Sequence, residues 1–388
     1  MKTNARQIVI LVIVAFIMGQ VWLVIPSFYH VIMYHKKVVP EAPYAFIFLP
    51  LVISAIVMAN IIGHIDYYFG TKRGLLISLI LATAGMFLVA IADGGYVYYV
   101  LAQICIGAAI AGTMSALSVL SIFILTKRCS SFLLVLFAAM IFGATTIPSL
   151  LDYFLKHHTW QEIPLYLGFV SILLYMIVQL FVDDTRSEDH PRPKGALTAT
   201  WKKIPWTTVL FLLLVLSNTI SQVLLQELGG SYLLDIKSVG ERSIIFLMTS
   251  YFLSMGVGAI LAGVIDTFTP TRILYPVLAG LVLLGYLVLP FAEHVYQMFL
   301  ATCLIGIGVW SILPLTIFYI HRFLPETEEI ATSFLISTYF IGVAISSFFQ
   351  NVHHSAVKDT FHLGLLTAGI TLVLSLFIVF RKWSPQKH

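Results

Sequence analysis

Charge is scarce in this chain of 388 residues: Asp, Glu, Lys and Arg together make up 10%, against 59% hydrophobic residues and a mean hydropathy of +0.96. A soluble globule carries about a quarter of its residues charged, so a water-soluble fold is excluded and the apolar surface must face lipid. Cysteine is scarce too, at three residues. Cys105 and Cys303 fall inside apolar runs and Cys129 in a short polar connection, which speaks against a disulfide framework. The sequence also lacks a glycine-rich phosphate loop, a zinc-protease pattern and an activated-serine signature. Its longest polar stretch, 183–204, spans 22 residues and is too short for a catalytic domain. An enzyme is therefore not expected, nor a cofactor.

What the chain has in abundance is apolar length. Twelve runs are long enough to cross a hydrocarbon core roughly 30 Å thick: 7–29, 44–63, 74–92, 96–125, 131–151 and 163–182, then 205–227, 243–264, 273–292, 295–319, 331–350 and 361–380. Within these runs the one formal charge is Glu227. Between the two sets lies DDTRSEDHPRPKGALTATWKKI, polar, proline-containing and aperiodic, as a linker between bundles should be. The fold class expected is an all-α membrane protein: a six-helix bundle over 1–182, a linker at 183–204 and a second six-helix bundle over 205–388.

The two halves repeat. Gly63-His-Ile-Asp66-Tyr-Tyr-Phe-Gly70-Thr71-Lys72 recurs 200 positions later as Gly263-Val-Ile-Asp266-Thr-Phe-Thr-Pro270-Thr271-Arg272. The same offset pairs Ser54 with Ser254, Leu81 with Leu281, Gly85 with Gly285 and Ala92 with Ala292. Such self-similarity across flanking apolar segments marks an internal duplication, and each copy is a short basic connection between two spans.

Basic residues set the orientation. With the N-terminus inside, 16 of the Lys and Arg residues lie on the cytoplasmic side, Lys2, Arg6, Lys72, Arg73, Lys127, Arg128 and Arg272 among them, and 6 lie outside. Both termini are then cytoplasmic. The net charge of +4 is what anionic inner-leaflet lipid selects and needs no nucleic acid to explain it. The N-terminal MKTNARQ precedes a run of full spanning length without a small-residue cleavage site, so it reads as the first helix and not a signal peptide. A monomer in a bacterial inner membrane is expected.

Six spans, a linker, six more spans of the same orientation, and a basic Asp-containing loop after the second span of each half resemble the major facilitator superfamily over the whole chain. That family's loop between helices 2 and 3 carries G-x-x-x-D-R-x-G-R-R. Gly63, Gly70 and Lys72 keep its spacing, with Arg73 one position beyond it, while Asp66 sits one residue early and Tyr67 takes the acidic position. The resemblance implies a cytoplasmic gate that uses Asp66, Lys72, Arg73, Asp266 and Arg272, an Asp at a helix end closing against an Arg or a helix N-terminus.

Other departures shape the functional reading. Proton-coupled members carry L-x-x-R-x-x-x-G-x-x-A in helix 4; here Leu101-Ala102-Gln103 leads to Gly107 with Gln103 in place of the Arg, and Thr302 holds the equivalent position in the second half. The antiporter signature of helix 5 survives only as Gly143 to Pro148, with Leu151 and Asp152 at the glycine pair. Both changes weaken a drug/proton antiporter reading.

In this family spans 1, 4, 7 and 10 line the cavity. Asn218, Ser221, Gln222 and Gln226 fall within an arc of about 140° on span 7, one hydrated face. Gln20 on span 1 matches Gln222, since Gln20-Val21-Trp22-Leu23 aligns with Gln222-Val223-Leu224-Leu225. Amides at such places either contact solute or join helices. Gln20, Gln103, Asn218, Ser221, Gln222, Gln226, Trp310 and Tyr339 are the substrate-site candidates, with Ser311, Pro314, Ser337 and Thr338 as companions. Glu227 is the candidate for coupling to a proton or cation. The histidine pairs His157-His158 and His353-His354 occupy equivalent outer loops but lack companions of ligand spacing, so no metal site is expected. Buried Arg and Lys are missing, which disfavours a multiply anionic substrate. The sequence thus points to a secondary transporter for a small neutral, zwitterionic, cationic or amphipathic solute, with lipid and a coupling ion as its other partners. The alternatives are a drug-type exporter with degraded motifs, an uptake carrier for a nutrient or metal chelate, or a non-transporting receptor or scaffold.

Overall fold

The structure is a computed structural model describing residues 2–36, 44–92, 95–125, 129–157, 159–183, 206–321, 328–352 and 357–380. Among these no strand occurs, and twelve segments are long and apolar enough to cross a membrane. The first six are single helices: α1 (Lys2–Lys36), α2 (Tyr44–Phe69), α3 (Thr71–Ala90), α4 (Tyr96–Ile124), α5 (Cys129–His157) and α6 (Glu162–Phe181). They are followed by α7 (Trp206–Ser231), a π-helical turn at Tyr232–Ile236, α8 (Glu241–Asp266) and α9 (Thr271–Val288). Span 10 comprises two helices, α10 (Val295–Val309) and α11 (Ile312–His321), and α12 (Glu328–Val352) and α13 (Val357–Phe380) complete the set. Most of the linker read at 183–204 lies outside the described residues.

Long helices form here because lipid offers no partner for backbone N–H and C=O groups, so each must be satisfied within its own segment. Proline supplies the exception. Pro314 has no N–H to return to the carbonyl of Trp310, and its ring crowds that carbonyl. The tenth span accordingly breaks at Trp310–Ser311, where the apolar run 295–319 alone reads as one continuous helix.

The chain divides into two compact units. One comprises Met1–Lys127, Ala139–Pro191 and Thr332–Ser337; the other comprises Arg128–Ala138, Arg192–Ala331 and Thr338–His388. In the first, α4 is the central element. It packs on α1, α2 and α3, while α6 covers α1 and α3. In the second, α10 packs on α8 and α9, and α13 on α7 and α9, the same pairings one repeat later.

The duplication is legible at atomic detail. A Cβ on Gly107 of α4 would stand 2.1 Å from the Leu51 carbonyl and 2.4 Å from Ser54 Oγ. In the second unit a Cβ on Gly306 of α10 would meet Ser254 Oγ at 1.9 Å and the Tyr251 carbonyl at 2.6 Å. Both serines donate three residues back, Ser54 to Leu51 at 2.8 Å and Ser254 to Tyr251 at 2.7 Å. Only glycine permits so close an approach of backbones, and the same small-residue contact is built twice.

Helices also run past the apolar runs. α2 takes in Asp66 and α12 takes in Glu329; both side chains are buried, 2% and 1% exposed. Glu329 was not among the residues singled out from sequence, because it precedes the run at 331–350.

Candidate functional site

The polar face of α7 is where the sequence candidates converge. Asn218, Ser221 and Gln222 are buried and Gln226 is half-buried, so the face that periodicity reads as hydrated is directed into the second unit. Asn218 Nδ2 donates to the carbonyl of Val309 at 2.8 Å, the last residue of α10. That bond gives a polar partner to a carbonyl at the helix break. Its Oδ1 is buried with no partner among the described residues.

Beyond the break, Trp310 is 1% exposed and its indole N–H donates to the Phe137 carbonyl of α5 at 2.9 Å. Its ring meets Tyr339 edge-on at 6.0 Å and Phe137 at 5.8 Å, distances at which aromatic pairs attract. Gln222 Nε2 donates to Tyr339 Oη at 3.4 Å, a long hydrogen bond. Gln222, Tyr339 and Trp310 thus touch in succession within the second unit, and Asn218 bonds the residue before Trp310. Ser221 does not present its hydroxyl there: Oγ donates back to the Asn218 carbonyl at 2.8 Å.

Two further candidates belong to the first unit. Gln20 Nε2 donates to Thr146 Oγ1 at 2.9 Å, so the amide joins α1 to α5. The helices cross closely at that point, for a Cβ on Gly19 would stand 1.8 Å from the Met140 carbonyl and one on Gly143 1.8 Å from the Phe16 carbonyl. Gln103 is fully buried in α4, and neither polar atom of its amide has a partner among the described residues. The backbone of Glu227 lies in α7, but its side chain is outside the described residues, as are those of His157, His158, His353 and His354.

The duplicated Asp residues each meet a helix N-terminus, by different routes. Ser130, in the first turn of α5, donates its hydroxyl to Asp266 Oδ2, and Ser131 donates to the Gly263 carbonyl at 2.8 Å. The carboxylate at the end of α8 thus faces the positive end of α5. Asp66 instead lies against the first turn of α3, where a Cβ on Gly74 would stand 1.9 Å from Asp66 Oδ1. Of the basic residues, Lys72 donates to the Gln179 carbonyl in the last turn of α6 at 2.8 Å, while Arg73 and Arg272 are exposed.

Sequence reasoning passed over several residues of these networks. Tyr251 Oη donates to the Gln222 carbonyl at 3.1 Å, and Tyr286 Oη donates to the Ser221 carbonyl. Asn60 Nδ2 bonds the Ile56 carbonyl at 2.8 Å and Ser337 Oγ at 2.9 Å. The one Asn inside the second apolar run was a signal open to reading; the tyrosines were lost among the 18 of the chain. Among the described residues no group of three His, Cys, Asp or Glu could hold a metal ion.

No protein-family model matches the chain, and no curated sequence is significantly similar to it. Solved structures do match. The transporter FucP in its outward conformation superposes with a TM-score of 0.75 at 14% identity, over 96% of this chain and 99% of that one. A variant of the E. coli fucose:proton symporter FucP gives 0.73 at 14% identity, over 97% and 100%. The proton:xylose symporter XylE, bound to 6-bromo-6-deoxy-D-glucose, gives 0.77 at 12% identity, over 97% and 96%. Twelve apolar helices, a packing scheme used twice, and near-complete superposition on these proteins give the chain the fold of the major facilitator superfamily.

Proposed function

We propose that the chain is a secondary transporter that moves a small solute by alternating access between two pseudo-symmetric six-helix bundles, 1–182 and 205–388. The observation that carries this reading is the broken tenth span, whose terminal carbonyl is bonded by Asn218 and whose Trp310 joins Gln222 and Tyr339 in one buried network. Interrupted helices at membrane depth occur where protein or a water-filled route satisfies the freed backbone groups, and in transporters they mark solute sites. Amides and aromatic faces suit an uncharged solute bearing hydroxyl groups: amides supply donors and acceptors together, and rings cover apolar C–H faces. The sugars named for the structurally similar symporters are of that chemistry, so neutral sugars and polyols head the solute classes to test. Zwitterionic, cationic and amphipathic solutes follow.

The remaining roles complete the proposal. Glu227 couples transport to a proton or cation. Asp266 with Ser130, and Asp66 with its helix end, act as latches on the cytoplasmic side, which also carries both termini; Lys72, Arg73 and Arg272 belong to the same loops. Gln103 and Gln226 complete the polar lining, while Gln20 holds α1 to α5 and the Ser221 hydroxyl is turned back onto its own helix. The protein works as a monomer in a plasma membrane, bacterial inner membrane in the first instance.

A ligand-stabilisation screen on detergent-purified protein tests the reading. A solute that binds the folded state raises the melting temperature by mass action. The expected result is stabilisation by one solute class, diminished in Gln222→Ala and Trp310→Ala. Stabilisation retained in both variants would place the solute elsewhere.

A further inference from the structure

Two tyrosines from different helices place their hydroxyls on consecutive carbonyls of α7. Tyr286 of α9 donates to the carbonyl of Ser221, and Tyr251 of α8 donates to that of Gln222 at 3.1 Å. Both phenols are buried, 1% and 0% exposed. Ser346 Oγ lies a further 3.4 Å from the preceding carbonyl, Ile220, although its shorter bond is to Gly342 at 2.8 Å. In an α-helix these carbonyls accept from the N–H groups of Leu225 and Gln226. A side-chain donor that competes for ladder carbonyls is one of the few physical causes of helix bending.

The helix loses strength immediately beyond. Gly229 and Gly230 each lower helical stability relative to alanine. The π-helical turn at Tyr232–Ile236 follows, and Ser238 closes the segment with a φ of +50°. Wide turns of this kind recur at functional sites.

We propose that Ser221–Gln226 is a built-in hinge of α7, in which the Tyr286 and Tyr251 hydroxyls take over two carbonyls whenever the helical turn opens. A carbonyl freed inside a membrane protein has no water to turn to, so an unpartnered one strongly disfavours opening. With a phenol already bonded to it, the turn opens without orphaning the acceptor. The segment that swings, 223–236, bears Gln226 and the backbone of Glu227, so the hinge would reposition the far end of the candidate solute face. The inference rests on the transport reading for its purpose, but not for its test.

Hydrogen–deuterium exchange of peptides covering 222–230, in purified wild-type protein, Tyr286→Phe, Tyr251→Phe and the double variant, measures the opening directly. If the hydroxyls support the open turn, their removal slows exchange at Leu224, Leu225 and Gln226 by about fivefold per hydroxyl, the worth of one net hydrogen bond. If they only brace the closed helix, the same variants exchange faster, and the proposal is overturned; unchanged exchange overturns it equally. Gly230→Ala supplies a second route that leaves both tyrosines in place, since a Cβ there meets only Ile244 Cγ2 at 3.8 Å. It should slow exchange by a similar factor, and failure to do so also counts against the hinge. Absence of solute flux in wild-type protein would instead sink the transport reading and leave the exchange result standing.

Discussion

Asn218 Nδ2 stands 2.8 Å from the carbonyl of Val309, joining the polar face of the seventh span to the break in the tenth. The bond connects two features that sequence presents 91 residues apart: an amide in an apolar run, and a helix interrupted by Pro314. Removing it leaves the Val309 carbonyl without this donor. Asn218→Leu should therefore destabilise the protein by about 1–3 kcal/mol, the cost of an unsatisfied buried group. Thermal unfolding in detergent checks this. A second substitution, Pro314→Ala, supplies an N–H to the Trp310 carbonyl and lets the tenth span run on, which brings the Leu313 N–H onto the Val309 carbonyl and should recover part of the loss.

The two glutamines that align between repeats both donate to a hydroxyl on a neighbouring span, Gln20 to Thr146 at 2.9 Å and Gln222 to Tyr339 at 3.4 Å. The shorter bond belongs to a helix crossing held by Gly19 and Gly143, and the longer one to the aromatic network of the broken span. Their substitutions should diverge. Gln20→Ala is expected to lower thermal stability by about 1 kcal/mol with solute affinity changed less than threefold, whereas Gln222→Ala should weaken binding about five- to a hundredfold with little loss of stability. Equal behaviour of the two variants would remove the distinction.

The proposed latch rests most directly on the bond from Ser130 to Asp266. A hydroxyl-to-carboxylate bond at a helix N-terminus is charge-assisted, so Ser130→Ala and Asp266→Asn should each cost about 1–2 kcal/mol. Because they remove the same interaction, the double variant should cost hardly more than either alone. Additive losses in a double-mutant cycle would show that the two residues act independently.

Much of this was legible in the sequence. The twelve spans, the duplication and the polar arc of α7 follow from run length and helical period, which membrane physics enforces strictly. The break at Trp310 was not, because Pro314 stands in a strongly apolar stretch and proline is tolerated in other spans, as at Pro50 and Pro148. Partner choice was equally hidden. Lys72, placed by its motif in the gate, bonds the Gln179 carbonyl, and Asp66 nests beside Gly74, a glycine outside the quoted motif spacing. Such contacts depend on which helices lie side by side, and hydropathy carries no record of that.

Gly74 offers a steric check on the Asp66 site. A methyl at this position would overlap the carboxylate, so Gly74→Ala should destabilise by about 1–3 kcal/mol through overpacking. Gly280→Ala, with nothing within 4 Å of the added Cβ, should be neutral or stabilising by a few tenths of a kcal/mol. Similar melting temperatures for the two variants would contradict the placement of Asp66.

Glu227 is the residue on which coupling is proposed to depend, since it is the one formal charge within the twelve apolar runs. Glu227→Gln should abolish accumulation driven by a pH gradient while downhill exchange continues. Normal accumulation in this variant would assign coupling to another group or to none.

Transport itself is the central claim, and counterflow measures it most directly. Purified protein is reconstituted into liposomes loaded with an unlabelled solute identified by thermal stabilisation, then diluted into the same solute carrying a radiolabel. The account predicts transient uptake of label above equilibrium in wild-type vesicles and strongly reduced uptake with Gln222→Ala. Bound solute without any counterflow, in vesicles shown to hold folded protein, would contradict it and leave a membrane receptor or scaffold built on a transporter fold.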